Sequence, residues 1–200
     1  MNKNTRLFFT TGLIMGIALA FVWGLARLQP YTYHGTVLQT PIPAYDFKLQ
    51  ASQGQNLRLS DFKDQVVLLY FGYTFCPDVC PATLSELAAA REILGQAADQ
   101  VQVIMISVDP ERDTPQVLAE YVQYFDSSFI GLTGTPQQIQ QVASQYGIFY
   151  QAQQGTAATG YLVDHTASVL VIDRQGQLRL ILPFETEAPD IASDIEQLLK

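Results

Sequence analysis

The sequence predicts an α/β domain, a mixed sheet flanked by helices, carried by one N-terminal transmembrane helix. Three observations predict it. The chain opens on an apolar run from Leu7 to Leu25 with no charge between Arg6 and Arg27, close to the ~20 residues that span a bilayer as helix. Two later runs, VVLLYFGY at 66–73 and VQVIMISVD at 101–109, are continuously apolar, as in strands covered on both faces. Between and after them, apolar residues recur at i, i+3, i+4, the spacing of helices packed on a sheet.

Taken in order, residues 1–6 form a short lead with Lys3 and Arg6, and 7–28 form the anchor. Ala-Leu-Ala at 18–20 resembles a signal cleavage site, but Phe21, Val22 and Trp23 carry the apolar run past it, so 7–28 reads as an anchor or uncleaved signal. The basic lead stays cytoplasmic by the positive-inside rule. A lead this short is no transit peptide. The expected location is therefore the inner membrane of a bacterium, single-pass, with the domain in the periplasm. Residues 29–44, QPYTYHGTVLQTPIPA, are rich in Pro and Thr without helical period and read as a linker. The domain then occupies 45–200.

Within the domain, DFKLQASQGQNLRLSDF holds two short extended pieces about Gln53-Gly54-Gln55, a hairpin pattern. The strand at 66–73 follows. Residues 82–94 place Leu84, Leu87, Ala88 and either Ile93 or Leu94 on one helical stripe, and the strand at 101–109 comes next. Thr114-Pro115 opens a helix with a hydroxyl at the N-cap and Pro at N1, followed by Val117, Leu118, Tyr121, Val122 and Phe125. Thr135-Pro136-Gln137-Gln138 repeats that start with a glutamine at N3, a capping box. QAQQGTAATG at 151–160 reads as a polar loop. ASVLVID and QLRLILP flank Asp173-Arg174-Gln175-Gly176 as a second hairpin, and PDIASDIEQLLK closes the chain as an amphipathic helix. Strand, helix, strand, helix, antiparallel hairpin, helix is the thioredoxin-like plan, here with an extra N-terminal β-hairpin. A strand–helix–strand crossover implies parallel pairing, and chemistry collects at the carboxyl ends of such strands.

Charge narrows the partners. The chain carries net charge −8, and all 19 acidic residues lie beyond residue 29, as do all basic ones except Lys3, Arg6 and Arg27. An acidic domain is a poor ligand for nucleic acid, which rewards displaced counterions, and for an anionic lipid surface. A cationic partner or a metal ion is compatible with it.

Both cysteines stand in YFGYTFCPDVCPATLSEL, just past the first buried strand. In an oxidising compartment Cys76 and Cys80 become a disulfide, are guarded, or bind metal. A purely structural bridge over so short a loop adds little, roughly 2 kcal/mol or less. Pro81 reads as the first helical residue, with Cys80 at the N-cap, where the helix dipole lowers a thiol pKa. Thiolate serves both disulfide exchange and soft-metal ligation, so this feature does not separate them. Spacing does: exchange centres use two intervening residues, and here Pro77, Asp78 and Val79 intervene. Two sulfurs so placed suit Cu(I), with zinc also open, and need a third ligand. Of the two histidines, His34 lies in the linker and reads as a solvated bystander. His165, in GYLVDHTASVLVID, immediately precedes a strand expected beside the cysteine-bearing one. A lone histidine is more often a hydrogen-bonded loop residue; this topology with this spacing makes it a ligand. Asp78 offers an oxygen to Cu(II) but reads more simply as a capping carboxylate, and Asp164 is a candidate acceptor orienting the imidazole. The segment DPERDTP at 109–115 reads as a structured turn and helix cap.

YFGYTFCPDVCPATLSEL, SVDPERDTPQVLAEYV and YLVDHTASVLVID resemble, nearly residue for residue, the Sco/SenC family of copper chaperones. The resemblance runs from about Gly35 to the final helix, including PAYDFKL and LSDF. It implies a membrane-tethered thioredoxin-like domain that binds one copper ion, Cu(I) or Cu(II), through Cys76, Cys80 and His165. It further implies a role in assembling the dinuclear copper centre of cytochrome c oxidase subunit II or another cuproprotein, loaded by a copper donor protein. The chain thus reads as a carrier rather than an enzyme. The alternative is a thiol–disulfide reductase that keeps a client's cysteines reduced through the pair Cys76 and Cys80. A third reading, a peroxidase of the same fold, would call on Thr74 and Arg112 beside Cys76.

Overall fold

A computed structural model describes residues 31–51, 54–156 and 160–200. The expected lead and the expected anchor at 7–28 lie outside the described residues, among which no helix is long and apolar enough to cross a membrane. Tyr33–Lys200 forms one unit. Its strands are β1 (Thr36–Pro43), β2 (Lys48–Ala51), β3 (Asn56–Arg58), β4 (Val66–Gly72), β5 (Val101–Ser107), β6 (Ile130–Thr133), β7 (Tyr150–Gln154), β8 (Tyr161–His165), β9 (Val169–Ile172) and β10 (Gln177–Leu182). Its α-helices are α1 (Val79–Leu94), α2 (Pro115–Phe125), α3 (Pro136–Gln145) and α4 (Ala188–Leu198).

Eight strands make one mixed sheet in the order β1-β10-β9-β4-β5-β6-β2-β3. β4, β5 and β6 are parallel, and β9 runs antiparallel against β4, with Leu68 opposite Val103 on one side and Val171 on the other. The thioredoxin-like plan is present, and so is the hairpin at 48–58. β4 is buried at every residue, which its unbroken apolar run requires; each such side chain contributes about 1.5–3 kcal/mol. Alternate residues of β4 face opposite layers. Tyr70 faces the layer of α1, where Cys80 sits, and Phe71 meets Tyr146 at the end of α3 with ring centroids 6.1 Å apart. α1 and α4 pack on each other.

Several elements depart from the sequence-based expectation. Residues 36–43, expected in the linker, form edge strand β1, which pairs with β10. Its side chains are mostly exposed, and Pro41 falls where the register shifts between Val37 and Ile42; an edge bulge tolerates proline. His34 is not a bystander: its Nδ1 lies 3.1 Å from Asp194 Oδ1 and its Nε2 3.3 Å from Asp190 Oδ1. The fully buried Asp194 also accepts the backbone N–H groups of His34 and Gly35, fastening the start of the domain to α4. A Cβ on Gly35 would meet the Leu182 side chain at 2.8 Å, so a larger residue there would have to displace it. Residues 150–154 and 161–165 form a separate antiparallel ribbon, β7–β8, instead of one polar loop. Finally, α1 begins at Val79 with Asp78 as N-cap, so Cys80 lies inside the first turn. Pro81 still fits, because N–H groups of the first turn have no helical acceptor. On α1 the buried stripe runs through Leu84, Leu87, Ala90 and Leu94, and Ile93 is exposed. The caps at Thr114 and Thr135 are formed as expected, each hydroxyl accepting an N–H three residues on.

Candidate metal centre

The site is assembled at the carboxyl ends of β4 and β5. β4 stops at Gly72, and the chain turns through Tyr73–Asp78 into α1, with the Cys76 N–H donating to the Tyr73 carbonyl at 3.3 Å. The turn is pinned by buried Asp113, whose carboxylate accepts from the Thr74 N–H at 3.1 Å and from the Ser107 hydroxyl at 2.6 Å; the Thr74 hydroxyl donates to it as well. Cys76 is partly exposed and Cys80 fully buried, both as free thiols. His165 arrives from the end of β8, opposite Tyr150 in the ribbon. The two sulfurs and one imidazole nitrogen all lie within 4.8 Å of one another.

Hydrogen bonding prepares these atoms for a metal. His165 Nδ1 is 3.1 Å from the Thr166 carbonyl. A carbonyl only accepts, so Nδ1 carries the proton and Nε2 presents its lone pair. That lone pair faces Cys80 Sγ at 3.3 Å. The Cys80 N–H donates to Cys76 Sγ at 3.4 Å. The Cys76 thiol is held down to about 4, chiefly by the hydrogen bond from the Cys80 side chain, with the N–H groups of Cys80 and Asp78 also acting against burial. Burial and the neighbouring Cys76 sulfur push the Cys80 thiol upward. The apo site thus holds one preformed thiolate, one guarded thiol and one free imidazole lone pair. Two soft sulfurs with an imidazole suit one copper ion.

Reactivity follows from that asymmetry. In the reduced, metal-free protein, iodoacetamide should modify Cys76 first, at a rate that is flat above about pH 5 and falls as pH approaches about 4. Cys80 should react only after unfolding. Equal rates at the two positions, or a rate that climbs towards the ordinary thiol pKa of about 8.5, would contradict this arrangement; mass spectrometry of the alkylated peptides reads it directly.

The other expectations divide. Asp78 is exposed at the head of α1, and its carboxylate stands outside the ligand cluster. Asp164 does not orient the imidazole. Strand alternation turns it to the other face of β8, it is exposed, and the Thr166 carbonyl takes that place. Thr74 and Arg112 are committed elsewhere. The Arg112 guanidinium lies 3.7 Å from the Tyr161 ring centroid and 4.8 Å from that of Phe75, donates to the Tyr161 carbonyl at 2.9 Å, and pairs with Asp109. Tyr161 in turn donates to Asp109 at 2.6 Å. DPERDTP is therefore a clasp that ties the ribbon bearing His165 to the end of β5, as well as the turn and cap expected of it.

Gly72 is a residue the sequence reasoning passed over. A Cβ there would stand 2.7 Å from Tyr70 Cε1 and 2.9 Å from Cys80 Sγ, closer than packed atoms allow. Gly72→Ala should displace the sulfur or the buried ring and weaken copper binding by about 10- to 100-fold, the range for a perturbed metal-site support. The checks are a copper titration and an unfolding curve; unchanged binding would show that the sulfur has room. A glycine ending an apolar strand four residues before a cysteine is the only signal in the chain that could have pointed to it.

Residues 38–200 match the SCO1/SenC family model. A SCO2-like protein of Rickettsia felis is 38% identical over 133 residues, 66% of this chain and 65% of that protein, so the chain spans about two thirds of that relative's length. The mitochondrial SCO2 homolog of Bos taurus is 39% identical over 180 residues, covering 86% of this chain and 67% of that one. Among solved structures, apo Sco1 from Thermus thermophilus superposes with a TM-score of 0.76 at 45% identity, over 84% of this chain and 98% of that chain. Bradyrhizobium japonicum ScoI with copper bound gives 0.72 at 35% identity, over 78% and 99%. With the family model spanning residues 38–200, and the cysteine pair and distant histidine converging as that resemblance implies, the chain belongs to the SCO1/SenC family.

Proposed function

We propose that this protein is a membrane-anchored copper carrier. It binds one copper ion per chain through Cys76, Cys80 and His165 and passes it to a cuproprotein, cytochrome c oxidase subunit II for its dinuclear centre. The observation that carries the reading is the convergence of two sulfurs and one imidazole nitrogen within 4.8 Å. The copper-bound structures of its relatives from Bradyrhizobium japonicum and Arabidopsis thaliana support it. The apolar run at 7–25 and the basic lead support anchoring with the domain in the periplasm.

The residues divide the work of taking and releasing the ion. Cys76, partly exposed and already thiolate, is the point of entry and exit. Cys80 gives up its proton on ligation, and His165 contributes a lone pair without releasing one. Three donors leave room for an incoming ligand from donor or client, so copper can move by exchange of ligands rather than by release into water. The test is copper analysis and EPR of the detergent-solubilised chain beside its Cys76→Ser/Cys80→Ser variant. One copper per chain, lost in the variant, supports the carrier; no specific copper in the reduced wild type overturns it. Protease protection in spheroplasts checks the anchor and its orientation.

One observation favours a second activity. A partly exposed, low-pKa thiolate beside a buried thiol is the arrangement of a dithiol reductant. Cys76 would attack a client disulfide and form a mixed disulfide; Cys80 would then displace the client dithiol, leaving a Cys76–Cys80 bridge for an external dithiol to reduce. We infer that this reaction serves the same client before metallation.

A further inference from the structure

Tyr70 lies in the middle of the buried strand β4 and is itself fully buried. Its ring packs edge-on against the His165 imidazole, with centroids 6.1 Å apart and planes at 77°. Its Cε1 and Cys80 Sγ both border the small space above Gly72. Tyr70 therefore packs on one of the three candidate ligands and lies beside a second. Its hydroxyl is buried without a hydrogen-bond partner, although the Cys80 thiol and the Thr83 hydroxyl are its polar neighbours.

Tyr73 supplies the contrast. It too packs edge-on against His165, at 5.8 Å and 90°, but its oxygen accepts the Val163 N–H at 3.1 Å. Thr83 offers Tyr70 no hydrogen, because its own hydroxyl donates to the Val79 carbonyl at 2.9 Å. The single Cys80 proton is engaged by the Cys76 sulfur, with the His165 nitrogen as its other neighbour. In the metal-free chain the Tyr70 hydroxyl makes no hydrogen bond, and a phenylalanine would fill the same space without an orphaned donor. The account changes when Cys80 ligates a metal. Its sulfur then carries charge in a buried setting, and a phenolic O–H already stands beside it.

We propose that Tyr70 is a positioning residue of the metal centre: its O–H donates to Cys80 sulfur in the metal-ligated state and strengthens the hold on copper. The inference rests on the copper reading of the site. A hydrogen bond to a ligating sulfur withdraws electron density from it, which tunes both affinity and the energy of sulfur-to-copper charge transfer.

The experiment compares wild type, Tyr70→Phe and Tyr121→Phe as full chains in detergent. Tyr121, on α2, also has a buried hydroxyl without a hydrogen-bond partner, so it controls for the loss of such a group. Each is titrated with copper against a competing chelator, its Cu(II) charge-transfer band is recorded, and its metal-free unfolding curve is measured. Tyr70→Phe should bind copper about tenfold more weakly, move the band to lower energy, and unfold no earlier than wild type. Tyr121→Phe should leave affinity and band unchanged. Wild-type affinity and an unmoved band in Tyr70→Phe would overturn the inference while the copper reading stands. Equal changes in both variants, or a Tyr70→Phe chain that unfolds early, would make the hydroxyl a matter of core packing and overturn it as well. A wild type that takes up no copper would overturn both readings together.

Discussion

His165→Ala should abolish tight copper binding while leaving a folded protein with a working thiol pair. The side chain is partly exposed at the end of β8. Its polar contacts are with Cys80 Sγ and with the carbonyl of the next residue, and the rest is edge contact with Tyr70 and Tyr73. Little of the core depends on it, so truncation should cost about 1 kcal/mol of stability. The metal loses far more. A structural four-ligand site binds with about 10–16 kcal/mol, roughly 3 kcal/mol per donor, so removing one of three donors should weaken copper binding at least about 100-fold. Disulfide exchange has no need of the imidazole as a ligand. The Cys76 sulfur keeps its bonds from Cys80, and exchange with an aromatic disulfide should proceed within a few-fold of the wild-type rate. Measuring both quantities on one preparation separates the roles. Copper binding that survives while exchange collapses would make His165 part of a redox site and strike it from the copper ligands.

How much of this could be read from the chain depends on what each feature rests on. The central strands were legible because β4 and β5 are covered on both faces, and unbroken apolar runs leave few other structures. The ligand trio was legible for a similar reason: cysteine spacing and strand order are properties of the chain in one dimension. Elements that bury nothing left no such trace. β1 is held by backbone bonds to β10 at the edge of the sheet, and TVLQTPIP has no alternation to announce it. β7 is QAQQ after a single tyrosine, its side chains almost all exposed, and it exists because it pairs with β8. β6 is mostly buried, but at four residues, one of them glycine, its apolar run is too short to stand out. Supports of the site were hidden differently. Tyr70 looked like any other member of a buried strand, and the carbonyl that orients His165 belongs to Thr166, a backbone atom that no residue type advertises. Asp164 was the obvious choice by adjacency, and strand alternation sends it the other way.

Asp113 is the support with the largest expected cost. It is fully buried, and its carboxylate joins the end of β5, through Ser107, to the turn carrying Cys76, through Thr74. Asp113→Ala removes the acceptor for one N–H and two hydroxyls and should destabilise the protein by about 2–4 kcal/mol, loosening Cys76 and weakening copper binding with it. Its pH dependence has a definite sign. Burial raises the Asp113 pKa above its ordinary value, against the hydrogen bonds from Ser107 and Thr74. A carboxylate whose folded pKa exceeds its unfolded one contributes stability that is fully present below the unfolded pKa of about 3.9 and is lost as pH rises through the folded value. Asp113→Asn cannot titrate, so its stability lacks that decline. In urea unfolding of the metal-free protein, the deficit of Asp113→Asn relative to wild type should therefore be larger in acid, near pH 3 to 4, and narrower at neutral pH. A deficit that widened towards neutral pH would mean that the three donors outweigh burial and that the ionised carboxylate is the form the fold prefers.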